Sequence, residues 1–102
     1  MRITSMERLV QAARRHPDAA RPLQAWSQLT EAADWRNLID VRKTFPHADA
    51  VKVASGSTVT VFNMGGNKYR LLTMIAYPIG VINILAVLTH AEYDKDTWKK
   101  TL

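Results

Sequence analysis

The spacing of apolar side chains divides this 102-residue chain into a helical half and a sheet half. In the first half, apolar positions recur every three or four residues. Met6, Leu9, Val10 and Ala13 form one such stripe, and Thr4 with Glu7 has the spacing of a capping box ahead of it. His16-Pro17 ends this helix, because the residue before a proline is pushed away from helical angles. Asp18 is the expected cap of a second helix over residues 19–33, with Pro22 within or just past its first turn. Its inner stripe comprises Leu23, Trp26, Leu29 or Thr30, and Ala33. Asp34 is placed to cap a short third helix carrying Trp35, Leu38 and Ile39, which stops at "FPHAD".

Beyond that stop the composition turns to Val, Ile, Thr, Tyr and Phe. Segments 51–54, 58–63, 68–77 and 81–88 read as strands, separated by Ser55-Gly56-Ser57, Gly65-Gly66 and Pro78-Ile79-Gly80. Such short connections predict antiparallel hairpins. Thr89 and Glu92 have capping-box spacing, so the last strand gives way to a helix running to about Trp98. The order predicts one α+β domain spanning residues 1–102, with N-terminal helices on a four-stranded antiparallel sheet and a short C-terminal helix.

Turn lengths set the register. A two-residue turn at Gly65-Gly66 pairs Asn63 with Lys68 and Val61 with Arg70. A two-residue turn at Pro78-Ile79 pairs Arg70 with Val87, pairs Leu72 with Leu85 and sets Lys68 beside Thr89. Phe62, Tyr69, Leu71, Ile75, Ile82, Ile84, Ala86 and Leu88 then share the face beneath the helices. Asn63, Lys68 and Arg70 share the other, at the end of the sheet where His90 opens the terminal helix and Tyr93 follows one turn later.

Charge and chemistry sharpen this picture. Fourteen Lys and Arg against nine Asp and Glu give a net charge of +5, which favours a polyanionic partner. The absence of cysteine excludes disulfides, thiolate metal sites and cysteine nucleophiles. There is no signal-type apolar region at the start, and Pro78 and Gly80 break the longest apolar run, so a cytoplasmic protein without a membrane span is expected. His90, Glu92 and Asp94 match no metal-ligand spacing, and no metal or other cofactor is expected. His16 and His47 sit beside prolines and read as structural or exposed. Metal-free RNA cleavage needs a base for the 2′-hydroxyl, cations for the phosphorane and an acid for the 5′-oxygen. His90 suits the proton transfers, Lys68 and Arg70 the charge, and Tyr93 a stacking or hydrogen-bonding role. The competing reading of the same residues is a solvated rim with no chemistry.

"VFNMGGNKYRL" followed by "VLTHAEYDK" resembles the HigB family of bacterial toxins, within the RelE-like superfamily of mRNA-cleaving toxins. The likeness extends to "HPDAARPLQAW", "ADWRNL" and "TFPHADAVK", and so to nearly the whole chain. It implies a RelE-like fold and the toxin of a type II toxin–antitoxin module. Such a toxin is a metal-independent endoribonuclease acting on mRNA, often on the ribosome, and it is restrained by a HigA-like helix-turn-helix antitoxin. The resemblance places Arg70 on a recurrent strand arginine and puts His90 and Tyr93 where C-terminal catalytic groups fall. Lys68 completes the expected catalytic set, and Asn63, Asn67, Lys52 and Lys95 are the expected RNA contacts.

One position departs from the family. Many relatives carry Arg or Lys where this chain has Leu85, on the same face as Arg70 in the register above. This motivates a second reading, a decayed toxin that binds antitoxin or RNA without cutting. A lone DNA-binding repressor ranks below both, because the helical half has no helix-turn-helix pattern.

Overall fold

The computed structural model describes residues 1–102, and its core is a five-stranded sheet in the order β1-β5-β4-β3-β2. The elements run β1 (Arg2–Thr4), α1 (Glu7–Arg15), α2 (Ala20–Ala32), α3 (Leu38–Thr44), β2 (Asp49–Lys52), β3 (Thr58–Met64), β4 (Tyr69–Ala76), β5 (Val81–Thr89), α4 (His90–Asp94) and α5 (Thr97–Thr101). The α+β class and the antiparallel β2-β3-β4-β5 order match expectation. No helix is long and apolar enough to cross a membrane.

The fifth strand was not anticipated. β1 is three residues long and pairs in parallel with the start of β5, Ile3 opposite Ile82. The Thr4 and Ser5 hydroxyls both donate to the Asn83 side-chain oxygen at 2.8 Å. Thr4 is therefore committed to the sheet, and the expected Thr4–Glu7 capping box does not form; α1 starts at Glu7 with no side-chain cap. Its inner face is Leu9 and Ala12, while Met6 and Val10 are largely exposed. On α2 the buried stripe is Leu23, Trp26 and Thr30, and Leu29 points to solvent. Asn37, and not Asp34, caps α3, accepting the Asp40 amide at 3.0 Å. Trp35 precedes that helix and is buried. The single expected C-terminal helix is two short ones, broken at Asp96, whose φ of 59° lies in the left-handed region.

The β3–β4 register differs from the two-residue-turn reading, and the β4–β5 register follows it only from Ala76 back to Thr73. The β3–β4 connection spans Gly65 to Lys68, and Gly65, Gly66 and Asn67 all have positive φ. Glycine and asparagine tolerate that region better than other residues, so the loop winds left-handed at small cost. Asn63 consequently pairs with Arg70 and Met64 with Tyr69. This shift is even, so every β3 and β4 side chain keeps its expected face.

On β5 the shift is odd. The pairing Thr73–Ile84 follows the expected register, but Leu72 pairs with Ala86 because a bulge leaves Leu85 without a β4 partner. Arg8 of α1 supports the kinked edge, donating to the carbonyls of Ile84 at 2.9 Å and Leu85 at 3.0 Å. Beyond the bulge the faces exchange. Val87 joins the core under the helices, and Leu88, expected there, turns to the opposite face. Ala86 pairs with Leu72 and makes the same move.

The sheet thus has two apolar layers. Under the helices, Trp26, Trp35, Phe62, Leu71, Ile82 and Ile84 form the main core. On the other face Val53, Val59, Val61 and Leu72 pack beneath Trp98 of α5, with Leu85, Leu88 and Tyr93 against them. Leu71 is fully buried in the main core, so Leu71→Ala is expected to lower the unfolding free energy by about 2–5 kcal/mol in urea titrations. Val10→Ala, on the exposed side of α1, is expected to cost under about 1 kcal/mol. Equal losses would contradict this placement of the core.

Candidate functional site

The left-handed loop and the end of β5 meet at one rim of the sheet. Arg70 is the second residue of β4, and its guanidinium donates to the carbonyls of Asn67 at 2.9 Å and Tyr69 at 3.3 Å. The other terminal nitrogen of the guanidinium lies 3.4 Å from His90 Nδ1. His90 opens α4, where the expected Thr89–Glu92 capping box is present in both directions. These bonds to Thr89 hold the Glu92 carboxyl below its ordinary pKa. The His90 backbone N–H donates to the Lys68 carbonyl at 2.9 Å, tying the start of α4 to the loop that holds Arg70.

The imidazole is engaged on both sides. Its Nε2 is 3.0 Å from Asp94 Oδ2, one helical turn on. A guanidinium only donates, so in this arrangement Nδ1 accepts and Nε2–H donates to Asp94. Arg70 also lies 5.3 Å from the centroid of the Tyr93 ring. Tyr93 stacks on Trp98 with centroids 5.1 Å apart and planes 19° from parallel. The Trp98 indole N–H donates to the Tyr93 carbonyl at 3.0 Å, which fixes the stack. Partial burial raises the Tyr93 pKa, so its phenol carries its proton at neutral pH.

The structure brings Arg70, His90 and Tyr93 together, and Asn63 stands directly across from Arg70 in the ladder. It does not bring Lys68. That residue belongs to the loop, not to β4, and its ammonium lies 3.4 Å from Asp18 Oδ2. Asn67 contributes its carbonyl to Arg70. Lys52 pairs with Thr58, and alternation puts it on the face of Phe62, opposite Asn63. Lys95 is exposed where α4 ends. No three His, Asp or Glu side chains gather as a ligand set.

Three contributors escaped the sequence reading. Asp94 was visible as a partner four residues from His90, the spacing of a helical ion pair. Trp98 had no signal, because the bend at Asp96 that turns it under the sheet is not foreshadowed. Asp18 was read as a helix cap. Its carboxylate instead accepts the Tyr69 hydroxyl at 2.6 Å, from a position fifty-one residues away in sequence. Together with Lys68 it clamps the α1–α2 corner to the loop. The Tyr69 bond holds the Asp18 carboxyl below its ordinary value and correspondingly raises the Tyr69 phenol. His16 packs on the same ring, 4.9 Å between centroids.

A helical layer covers one face of this sheet, and an arginine and a histidine meet at one rim. The sequence pattern of the family described as "HigB_toxin, RelE-like toxic component of a toxin-antitoxin system" matches residues 19–96. The chain belongs to that HigB toxin family. It is 28% identical over 97 residues to the mRNA interferase HigB of Escherichia coli O6:H1, covering 95% of this chain and 92% of that one. It is likewise 28% identical over 94 residues to the mRNA interferase toxin HigB of Escherichia coli K12, covering 92% of this chain and 88% of the relative. The mRNA interferase HigB of Shigella flexneri matches to the same extent.

The Asp18 clamp has a pH signature. A carboxyl whose pKa is lowered by folding stabilises the fold above its ordinary pKa of about 4, and that contribution vanishes as pH falls through the lowered value. Asp18→Asn should therefore melt lower than wild type at neutral pH and show a flatter fall in Tm on acidification below about pH 4. Parallel curves for the two proteins would mean the Asp18–Tyr69 bond contributes nothing.

Proposed function

We propose that the protein is the toxin of a type II toxin–antitoxin module and a metal-independent endoribonuclease that cleaves mRNA. The observation that carries this reading is the 3.4 Å approach of the Arg70 guanidinium to the His90 ring, above Tyr93. Family membership and the names of the relatives support the same activity.

Arg70 is held by two backbone carbonyls and presents fixed positive charge where a scissile phosphate can bind. Positive charge there stabilises the phosphorane as the 2′-oxygen attacks phosphorus and the bond to the 5′-oxygen breaks. His90 is the proton carrier of the site, with Asp94 setting its ring orientation. A phosphate docking on Arg70 competes for the guanidinium and frees Nδ1 for proton transfer. Trp98 and Arg70 both occupy positions against the Tyr93 ring, so the part of Tyr93 left for RNA is its hydroxyl, as a donor. Asn63, Asn67 and Lys95 flank this centre as RNA contacts. Lys68 and Lys52, both exposed, contribute to the field that draws in the polyanion. The natural restraint on such an enzyme is a HigA-like helix-turn-helix antitoxin, and its substrate is mRNA undergoing translation.

A second reading is favoured by one observation. Leu85, where the resemblance implies a cation in many relatives, packs against the apolar layer beneath the sheet and brings no charge to the rim. A decayed toxin would retain its partners and cut nothing. Arg70→Ala is expected to reduce mRNA cleavage by about 10²–10³-fold and His90→Ala by about 10²–10⁴-fold, and both should relieve growth arrest. Circular dichroism melts of the same proteins separate loss of chemistry from loss of fold. Full toxicity in both folded variants would remove these residues from the site. Cleavage acquired only in Leu85→Arg would establish the decayed reading instead.

A further inference from the structure

The rim does not end at Arg70. Next to it, between the end of β3 and the turn leading into β2, lies a cleft of about 130 Å³ lined by Phe45, Pro46, His47, Ala48, Phe62 and Asn63, with Thr44 at its edge. We propose that this cleft is a nucleobase subsite that selects the base beside the scissile phosphate.

Its walls have the chemistry a base requires. A splayed-out base needs apolar surface against its face and hydrogen-bonding groups at its edge. Half-buried Phe45 offers the apolar surface, and the buried Phe62 ring braces it edge to face at 5.3 Å. Asn63 carries an amide, which both donates and accepts, and His47 adds an imidazole. Both side chains are exposed. The turn that presents His47 is closed by the Ala48 N–H donating to the Phe45 carbonyl at 3.0 Å. Pro46 presets its second position. Arg42 of α3 fixes the turn from behind, its Nε donating to the Ala48 carbonyl at 2.9 Å. An imidazole on a braced turn, lining the same small cleft as an asparagine, is a more specific arrangement than the exposed histidine read from "FPHAD".

The position relative to Arg70 decides which base is read. Asn63 and Arg70 are direct cross-strand partners. Side chains so paired start from Cβ atoms about 4.5–5.5 Å apart, within the span of one nucleotide. A phosphate held by Arg70 thus leaves an adjoining base within reach of Asn63 and His47.

The proposal rests on the ribonuclease reading for the neighbouring phosphate, but base binding can be observed without turnover. Titration of the 15N-labelled protein with AMP, GMP, CMP and UMP should shift the Asn63 side-chain amide. The preferred base should bind about tenfold more tightly than the weakest, the size of one base contact. His47→Ala should abolish that preference. In cleavage maps of total mRNA, His47→Ala should lower the base bias at one position flanking the cut by about tenfold. An Asn63 amide silent towards all four nucleotides, or a His47→Ala map identical to wild type, would overturn the subsite. Base binding in a protein that cuts no RNA would uphold the subsite and defeat only the ribonuclease reading. Cutting with a silent cleft would do the reverse.

Discussion

Two carbonyls of one left-handed loop hold the rim together. The Asn67 carbonyl receives the Arg70 guanidinium and the Lys68 carbonyl receives the His90 amide. A strand arginine and a helix histidine twenty residues apart in sequence therefore share one anchor. The loop can offer both carbonyls because Gly65, Gly66 and Asn67 take positive φ in succession, which a run of bulkier residues would resist. Asp18 secures the same loop from the helical side through Tyr69 and Lys68. Disturbance of this loop reaches both partners of the site at once.

The second apolar layer serves the site from below. Trp98 lies under the sheet against Val59, Val61 and Leu72, and Tyr93 stacks on it. The position of Tyr93 thus depends on α5 and on the left-handed bend at Asp96 that directs it. Leu85 belongs to this layer. Its half-buried side chain packs against this layer. The bulge that releases Leu85 from the β4 ladder also directs Leu88 onto the same layer.

Much of this arrangement was legible from residue pattern, and the failures have physical causes. The meeting of Arg70 with His90 was anticipated although the β3–β4 turn was assigned two residues and not four. A shift of two preserves side-chain alternation, so that error was harmless to the faces. The one-residue bulge was not harmless: it moved Leu88 off the expected core face and brought Val87 in, and no residue type in "ILAVL" marks it. Lys68 was misplaced because alternation was extended into a loop. Asp18 and Thr4 were read as local helix caps, yet each spends its oxygen on a distant segment, Tyr69 in one case and Asn83 in the other. Local signals describe what a polar side chain can do, and tertiary contact decides among them.

The central claim is that RNA is cut by attack of its own 2′-oxygen at a phosphate held by Arg70, with His90 moving the proton. It is tested most directly by giving the purified protein, with ribosomes, an mRNA bearing a single 2′-deoxy nucleotide at a mapped cleavage position. The account predicts that the cut at that position disappears, that neighbouring cuts persist, and that the normal product carries a 2′,3′-cyclic phosphate end. Undiminished cleavage at the 2′-deoxy position would contradict it.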